Sequence, residues 1–444
     1  MIIILFLIFI IVFYKRIIQM LIRLWIGVRR YLYVSITNKY ASLTSEKNHG
    51  IYYGYDGPNR IVMIGSYNLS KNFYSLTKKI LERNHDYLGR TYDILFKECI
   101  GTKWGETWLK MKKPLDGYFN NGSVRDYYEL LDNCIDNWIK SKFEIKIRGY
   151  DHFELCLGDL ELDKLTMNFL AVMVFGKVTD EDLDRLYELA KLHEKILPMM
   201  SEYSPIRYGF RVGFQKEIND IRLLNKKWIE FMTDIIGKSE GLVNHFASEP
   251  TYMNDQKKII HTLYEIILFN ADIMTNAITH IIRDLALNPD IQEDLINAIK
   301  KSDMEYIKRI ITESARLHPG ILNTFTDLVS DDFVFEDFTF PSGTMFSLDT
   351  FMINTDPNMW SNPLVFNPNR YDNEDIDKVY RFGLGQRKCI GRISADVILQ
   401  KVIQKIFSVY YVVPIQNTFD KKEEKSYVNI ATGCIDNVVK IYIQ

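Results

Sequence analysis

The sequence predicts a mainly α-helical fold with small β-sheets, arranged as one large domain behind an apolar N-terminal segment. From about Leu69 to Ala298, apolar residues recur at spacings of three and four, which is typical of amphipathic helices. Strand-like runs are short and are confined to regions before and after this stretch. The sequence contains no internal repeat, low-complexity tract or interdomain linker, so a single large helical domain is the simplest interpretation.

The first element is an apolar run, Ile2 to Tyr14, that carries no charge. Cations follow it, and no acidic residue occurs before Glu46. The run is shorter than the about 20 residues that span a bilayer, but flanking cations that reach the membrane surface would extend it. We therefore expect residues 1–32 to be a single-pass membrane anchor, and residues 33–444 to be a catalytic domain that the positive-inside rule places in the cytoplasm. A buried helix and a helix lying in the membrane interface are the alternatives.

The domain begins with a predicted hairpin. Residues 51–55 and 61–64 are strand-like, and Asp56-Gly57-Pro58 between them is a turn signal. The longest predicted helix runs from about Asn254 to Leu287 and ends before Asn288-Pro289.

Three further segments complete the prediction. A helix covers Met304 to Leu317 and stops at His318-Pro319. An irregular stretch rich in Pro and Asn runs from Asp356 to Arg381. A last helix begins just after Cys389 and ends at about Tyr410.

Composition excludes some classes of protein. The chain of 444 residues is 47% hydrophobic and 25% charged, with a formal net charge of −2, so no nucleic-acid partner is expected. The cysteines, at positions 99, 134, 156, 389 and 434, are odd in number and lack the close spacing of zinc or dithiol sites. This pattern argues against a disulfide framework and for a reducing compartment.

The segment from Phe382 to Gly391 carries the strongest chemical signal. Its three glycines let the backbone turn sharply and approach a flat ligand closely. Cys389 stands at the predicted start of a helix, where N–H groups favour a thiolate, and Arg387 can bind a carboxylate. The cysteine could be a nucleophile or a metal ligand, although no nearby histidine could act as its base. A buried structural cysteine would not explain the glycines and the arginine.

The same segment resembles the F-x-x-G-x-R-x-C-x-G signature of the cytochrome P450 family through Phe382, Gly385, Arg387, Cys389 and Gly391. This resemblance implies a cytochrome P450 fold in which Cys389 is the axial thiolate of haem b. In that family the thiolate pushes electron density onto the iron and favours O–O cleavage.

Other segments agree with the family in order and spacing. Glu313-Ser-Ala-Arg316 is similar to its E-x-x-R pair, and Arg370 stands where the family completes this ion-pair network beneath the haem. Trp108 and Lys112 resemble the tryptophan and basic residue that hold a haem propionate, with Arg387 as a further cofactor-binding residue. The family usually has arginine where Lys112 stands, so a point charge replaces a bidentate fork.

Two positions depart from the family. Counting back from Asn288-Pro289 without gaps places Asp272 on the family's acid and Ile273 on the alcohol that delivers protons to bound oxygen. Thr275 can share a helical face with Asp272, so we interpret both as candidate catalytic residues; a hydrogen-bonded buried acid and a packing threonine are the alternative. Thr326 stands where the family often has a second propionate arginine.

The resemblance implies a monooxygenase that inserts one oxygen atom of O2 into a small apolar substrate such as a lipid, sterol or terpenoid. Because the chain has no flavin domain or nucleotide motif, electrons from NAD(P)H would come through a separate flavoprotein reductase or ferredoxin. Basic residues around the cysteine segment could form its docking face: Lys378, Arg381, Lys388, Arg392 and Lys401. Ile273 keeps open a haem-thiolate isomerase or dehydratase that acts on a peroxide substrate without a reductase. A non-catalytic haem-binding gas sensor is a third possibility.

Overall fold

The computed structural model describes residues 14–26, 28, 50–83, 89–119, 125–144, 152–156, 160–200, 203–253, 255–414 and 438–443. Residues 1–13, 27 and 29–32 of the predicted anchor, and the boundary expected after residue 32, lie outside these ranges. Residues 14–26 form a helix, α1. Within the described ranges, every helix is too short or too polar to cross a bilayer.

Helices make up most of the described chain. Those before the middle of the chain are α2 (Tyr67–Leu76), α3 (Asp93–Phe96), α4 (Gly105–Tyr118), α5 (Tyr128–Ile139), α6 (Leu162–Phe175), α7 (Asp180–Ile196) and α8 (Gln215–Ile236). The later ones are α9 (Leu242–Ser248), α10 (Pro250–Met253), α11 (Gln256–Ile267), α12 (Ala271–Leu287), α13 (Pro289–Lys300), α14 (Met304–Leu317), α15 (Thr350–Asn354) and α16 (Arg392–Phe407).

The strands form small sheets. They are β1 (Ile51–Asp56), β2 (Asn59–Ile64), β3 (Leu81–Arg83), β4 (His152–Cys156), β5 (Asp327–Val329), β6 (Phe333–Phe335), β7 (Phe338–Phe340), β8 (Met345–Leu348), β9 (Tyr410–Pro414) and β10 (Val438–Ile443). A five-stranded sheet has the order β1-β2-β8-β5-β3, a three-stranded sheet the order β4-β10-β9, and β6 pairs with β7. The fold is therefore mainly helical with small sheets, as predicted.

Short turn and capping signals determine the ends of several elements. The hairpin is confirmed, with Ile51 paired to Ile64 and Gly57 at a φ of 56° in the turn. The helix α14 has the predicted bounds, because the Asp303 carboxylate accepts hydrogen bonds from the first main-chain N–H groups. The last helix ends at Phe407 rather than at about Tyr410, where β9 begins.

The prediction of one continuous helix from Asn254 to Leu287 is wrong. The main-chain N–H of Phe269 donates to Tyr264 O at 3.3 Å, five residues back, and the Asn270 side-chain Nδ2 donates to Glu265 O at 2.7 Å. The Asn270 side chain thus donates to the Glu265 carbonyl, which in a regular helix would accept from a main-chain N–H. The helix is interrupted at residues 268–270, and α11 and α12 are separate.

The core lies between the helices. The helix α6 is buried over most of its surface, and α12 packs against it and against α14. This arrangement leaves one side of α12 facing the cysteine segment at the start of α16.

Candidate active site

A cavity of about 1420 Å³ lies among α4, α12, α14, α16 and the segment that carries Cys389. Apolar side chains form much of its wall: Ile100, Trp108, Leu115, Ile266, Ile273, Met274, Ala277, Phe325 and Ile398. Cys389 and Gly391 line the side opposite α12. The cavity is therefore large and mostly apolar, with one thiol in its wall.

The backbone of the cysteine segment forms a tight loop. Gly383 and Gly385 have φ values of 83° and 67°, a region that favours glycine. The loop closes through the Cys389 main-chain N–H, which donates to Phe382 O at 2.8 Å. A β-carbon on Gly385 would lie 3.1 Å from Tyr74 Cβ, so the loop packs closely on α2. This geometry directs the Cys389 side chain into the cavity.

The Cys389 side chain is exposed where it lines the cavity. Desolvation by the surrounding protein raises the pKa of Cys389, while the Gly391 N–H and the Arg392 cation act in the opposite direction. Sequence reasoning emphasised only the favourable helix N-terminus. Because a coordinating thiol is deprotonated by its metal, such a cysteine fits a soft metal ligand better than a free nucleophile.

Glu313 forms the centre of a buried ion-pair network next to the cysteine loop. Its carboxylate, with no exposed surface, accepts from Arg316 Nε and Nη2 at 2.9 Å each and from Arg370 Nε at 2.8 Å. The Tyr371 hydroxyl donates to it at 2.8 Å. The structure therefore joins the E-x-x-R pair and Arg370 as expected.

This network reaches the cysteine loop through Asn354. Arg316 Nη1 donates to Asn354 O at 2.8 Å. The Asn354 side chain in turn exchanges hydrogen bonds with the Tyr380 main chain at 2.8 and 2.9 Å. Tyr380 precedes the loop by two residues, so the ion pairs hold the loop in place rather than face the cavity.

Arg387 and Trp108 come together at one wall of the cavity. The Arg387 guanidinium lies 4.5 Å from the Trp108 ring centroid and donates to Lys103 O. Burial, and next Arg83, lower the pKa of Arg387 to about 10. A buried guanidinium held by a ring and a carbonyl retains N–H donors for an anion.

Lys112 stands apart from this group. Its ammonium pairs with Asp116, one turn further along α4, and lies 5.8 Å from the Trp108 ring centroid. Among the described residues that line the cavity, Trp108 and Arg387 are present and Lys112 is not.

Sequence reasoning missed Arg83. This residue lines the cavity from β3, donates to Phe325 O at 3.2 Å and pairs with Asp327 at 3.0 Å. It therefore brings a cation to the two residues that flank Thr326, the position where the family's arginine is absent. The absence of an arginine at position 326 indicated that another residue must supply the cation. Nothing in the sequence identified Arg83 as that residue.

Glu265 was also missed. It is a buried acid in the cavity wall at the end of α11, and Gly101 N donates to its Oε2 at 3.0 Å. Burial raises the pKa of Glu265. A β-carbon on Gly101 would lie 2.0 Å from the other carboxylate oxygen, so only glycine permits this contact.

The two residues predicted to be catalytic are not among the described residues that line the cavity, and Thr275 packs against α6. The Thr275 hydroxyl is 2.7 Å from the Thr166 hydroxyl and donates to Ala271 O at 3.0 Å. Burial raises the pKa of Asp272 to about 6, and Glu194 and Asp163 add to the effect. In the described part of α12, the side that lines the cavity carries Ile273, Met274, Asn276 and Ala277. The roles of Asp272 and Thr275 stay predictions.

Comparisons with known proteins agree with this geometry. A sequence model of the family described as Cytochrome P450 matches residues 24–433. Cytochrome P450 6B7 of Helicoverpa armigera is 24% identical over 360 residues, which cover 71% of this chain and 70% of that protein. Cytochrome P450 monooxygenase PUL2 of Kluyveromyces lactis is 22% identical over 367 residues, covering 72% and 69%. A structure of retinoic acid-bound cyanobacterial CYP120A1 has the same fold, with a TM-score of 0.74 at 13% identity over 92% of this chain and 95% of that one.

The fold and the cysteine-lined cavity define the class as haem-thiolate enzymes. The chain belongs to the cytochrome P450 family, and it is an oxidoreductase of the cytochrome P450 type. Members of this family are generally monooxygenases that use haem, O2 and electrons from a reductase. The glycine-rich loop, the thiol and the buried arginines of this structure fit a haem and its propionates.

Proposed function

We propose that the protein is a monooxygenase that inserts one oxygen atom of O2 into a small apolar substrate of the lipid, sterol or terpenoid kind. The supporting observation is the Cys389 side chain, which opens into a large and mostly apolar cavity. Electrons come from NAD(P)H through a separate flavoprotein reductase or a ferredoxin. The test is turnover with labelled O2 and a reductase, in which the product gains one labelled oxygen atom.

In this proposal, Cys389 binds the iron of haem b, and Trp108 with Arg387 holds a propionate. Lys112 lies near Trp108 but pairs with Asp116 rather than with the propionate, and Arg83 replaces the arginine that is absent at Thr326. When bound, a haem with a thiolate ligand supplies the iron chemistry that cleaves O2. The apolar wall excludes water from the reacting substrate.

One observation favours an isomerase or dehydratase as the second candidate. Ile273 lines the cavity where the family has an alcohol, and an isoleucine cannot donate or accept a hydrogen bond. An enzyme that rearranges a peroxide substrate needs no such proton donor. Oxygen in its product would come from the substrate rather than from labelled O2.

Ile273→Thr is expected to improve the coupling of electrons to product. Removal of a positioned proton donor typically costs about a hundredfold, so the parent protein should release much of its reducing power as hydrogen peroxide. The introduced hydroxyl should raise the product formed per NAD(P)H consumed and lower the hydrogen peroxide released. Both quantities are measured in reductase-driven turnover.

Ile273→Val is the matched control, because valine has the shape of threonine without its hydroxyl. Valine should leave the coupling at the parent level. If the parent already couples tightly and Thr275→Ala abolishes that coupling, Thr275 is the working alcohol. If the parent shows no turnover with any reductase but rearranges lipid hydroperoxides, the isomerase or dehydratase is the correct candidate.

The proposal includes contact with a membrane through α1. Ile22 and Ile26 of α1 are buried against the protein, and Trp25 packs edge-on to Tyr208 with ring centroids 5.3 Å apart. On α1 itself, Leu24 is 61% exposed, and Val212 in the segment before α8 is 75% exposed. Further exposed apolar side chains lie on the same two segments: Met20, Leu21, Val28 and Phe210. The apolar run precedes α1 directly in the sequence, and a lipid surface suits exposed apolar side chains of this kind.

Deletion of residues 2–13 is expected to move the protein from the membrane to the soluble fraction with its haem spectrum intact. The deletion stops before α1, because Ile22 and Ile26 belong to the folded body. Cell fractionation and the absorbance of haem per protein are the measurements. In the full chain, Leu24→Glu with Val212→Glu should weaken binding to vesicles, whereas Leu109→Glu, an exposed apolar residue on α4, should not. Loss of haem in the truncated protein would instead make residues 2–13 part of the fold.

The docking face for the reductase is smaller than the sequence predicted. Arg381 pairs with Asp396, and Lys401 pairs with Asp132 at 2.7 Å. Lys378, Lys388 and Arg392 are exposed and supply the remaining cations. We retain these three as the basis of the proposed contact with an acidic partner.

A further inference from the structure

Three ionisable side chains line the cavity, and a fourth, which is buried, pairs with one of them. Arg83, Arg387 and Glu265 line the cavity, and Asp327, only 4% exposed, lies behind Arg83 at 3.0 Å. Two cations and two carboxylates cancel each other when all are ionised. The wall that would receive the haem propionates is thus already neutral.

Glu265 lines the same cavity as both arginines. Its pKa is raised by burial, whereas the Gly101 N–H, the Cys99 thiol and the two arginine charges lower it. Loss of either arginine charge would therefore favour the protonated carboxyl.

The other titratable groups around Glu265 are either paired or neutral. In the loop before α4, Lys103 pairs with Glu98 at 2.8 Å. On α11 itself, the ring nitrogen of His261 accepts from the Glu98 main-chain N–H, and burial lowers its pKa to about 4. Tyr252 on α10 and Tyr264 on α11 have raised pKa values, so they remain neutral near pH 7.

Asp327 has a similar environment on the sheet. Burial raises its pKa, and Arg83 and then Arg387 lower it. The phenols that face it, Tyr74 and Tyr380, have raised pKa values and are neutral. Asp327 depends on the same two cations as Glu265.

Lysines nearby cannot supply the missing positive charge. Lys103 is engaged by Glu98, and Lys112 is engaged by Asp116. Two propionates placed against Arg83 and Arg387 would therefore leave an excess of buried negative charge, which is costly in a medium of low dielectric. A proton taken up by each acid restores neutrality.

We propose that Glu265 and Asp327 each take up a proton from solvent when the haem propionates bind Arg83 and Arg387. The inference rests on the proposed haem site. It makes Asp327 a competitor of the propionates for Arg83, and Glu265 a further negative charge in the same cavity wall. Their protonated carboxyls keep a hydrogen bond to donate within the wall.

The sign of the pH dependence follows from this exchange. If haem binding takes up protons, affinity for haem falls as pH rises above the pKa values that the acids have without haem. Each proton contributes up to about a tenfold loss of affinity per pH unit. Ligation by Cys389 releases a proton and acts in the opposite direction, so the effect is read as a difference between the parent protein and variants that share Cys389.

The test is a titration of the haem-free full-length protein with ferric haem at several pH values between about 5.5 and 8. Glu265→Gln keeps an acceptor for Gly101 N and cannot ionise, and Asp327→Asn is the second variant. Asp272→Asn is the matched control, because Asp272 is also a buried acid with a raised pKa but does not line the cavity. Infrared difference spectra of haem binding, which detect protonated carboxyl groups, are recorded in parallel.

We expect the ratio of parent to variant Kd to rise with pH, by up to about tenfold per unit for each acid removed, and to stay constant for Asp272→Asn. A protonated carboxyl band should appear on haem binding in the parent and lose intensity in Glu265→Gln. Equal shifts of Kd at every pH, with no such band, would overturn the inference while leaving the haem site intact. Failure of the parent to bind haem at any pH would instead refute the proposed function.

Discussion

Glu313→Ala is expected to give protein that is destabilised by about 3–5 kcal/mol and that does not retain haem, because it leaves two buried arginines without their carboxylate. The Arg316 side chain has no exposed surface, and that of Arg370 is 1% exposed. Both guanidinium groups face the same carboxylate, so removing it also leaves their like charges without an anion between them. Chemical denaturation and haem content per protein are the measurements.

A second carboxylate in the same network provides the control. Glu374 pairs with Arg370 at 3.1 Å, but its side chain is 17% exposed, so water can replace it. Glu374→Ala should therefore cost much less stability and keep its haem. Stable, haem-loaded Glu313→Ala protein with an altered product distribution would mean that Glu313 takes part in the chemistry rather than in the fold.

The parts of the site that the sequence predicted are those whose signal is local. Ten consecutive residues form the cysteine loop, and Gly383 and Gly385 have the positive φ values that favour glycine. Likewise, His318-Pro319 marks the C-terminal end of α14, so this end could be predicted.

Other parts depend on contacts between distant segments. Arg83 reaches the site because β3 pairs with β5, and its carbonyl partner Phe325 is 242 residues away in the chain. Helical spacing predicts that Asp272 and Thr275 can share a face, but only the contact with Thr166 of α6 shows where the Thr275 hydroxyl is held. The break before α12 depends on one side-chain hydrogen bond of Asn270.

Cys389→Ser is expected to abolish the strongly red-shifted Soret band that a thiolate-ligated haem shows when reduced and bound to carbon monoxide. Serine has nearly the same shape and can occupy the same loop, in which the main-chain N–H of residue 389 bonds to Phe382 O at 2.8 Å. The fold should persist, as circular dichroism would show, while the soft anionic ligand is lost. Cys389→Ala removes the ligand altogether and should also reduce haem content.

Cys134→Ala is the control for these variants, because Cys134 is half-buried on α5 and is not among the described residues that line the cavity. It should keep both the band and the haem. Cys389→Ser separates ligation from folding. A Cys389→Ser protein that is folded but lacks the red-shifted band has lost the thiolate ligand and not the fold. A red-shifted band that survives unchanged in Cys389→Ala would mean that another group binds the iron, and the proposed site would then be misplaced.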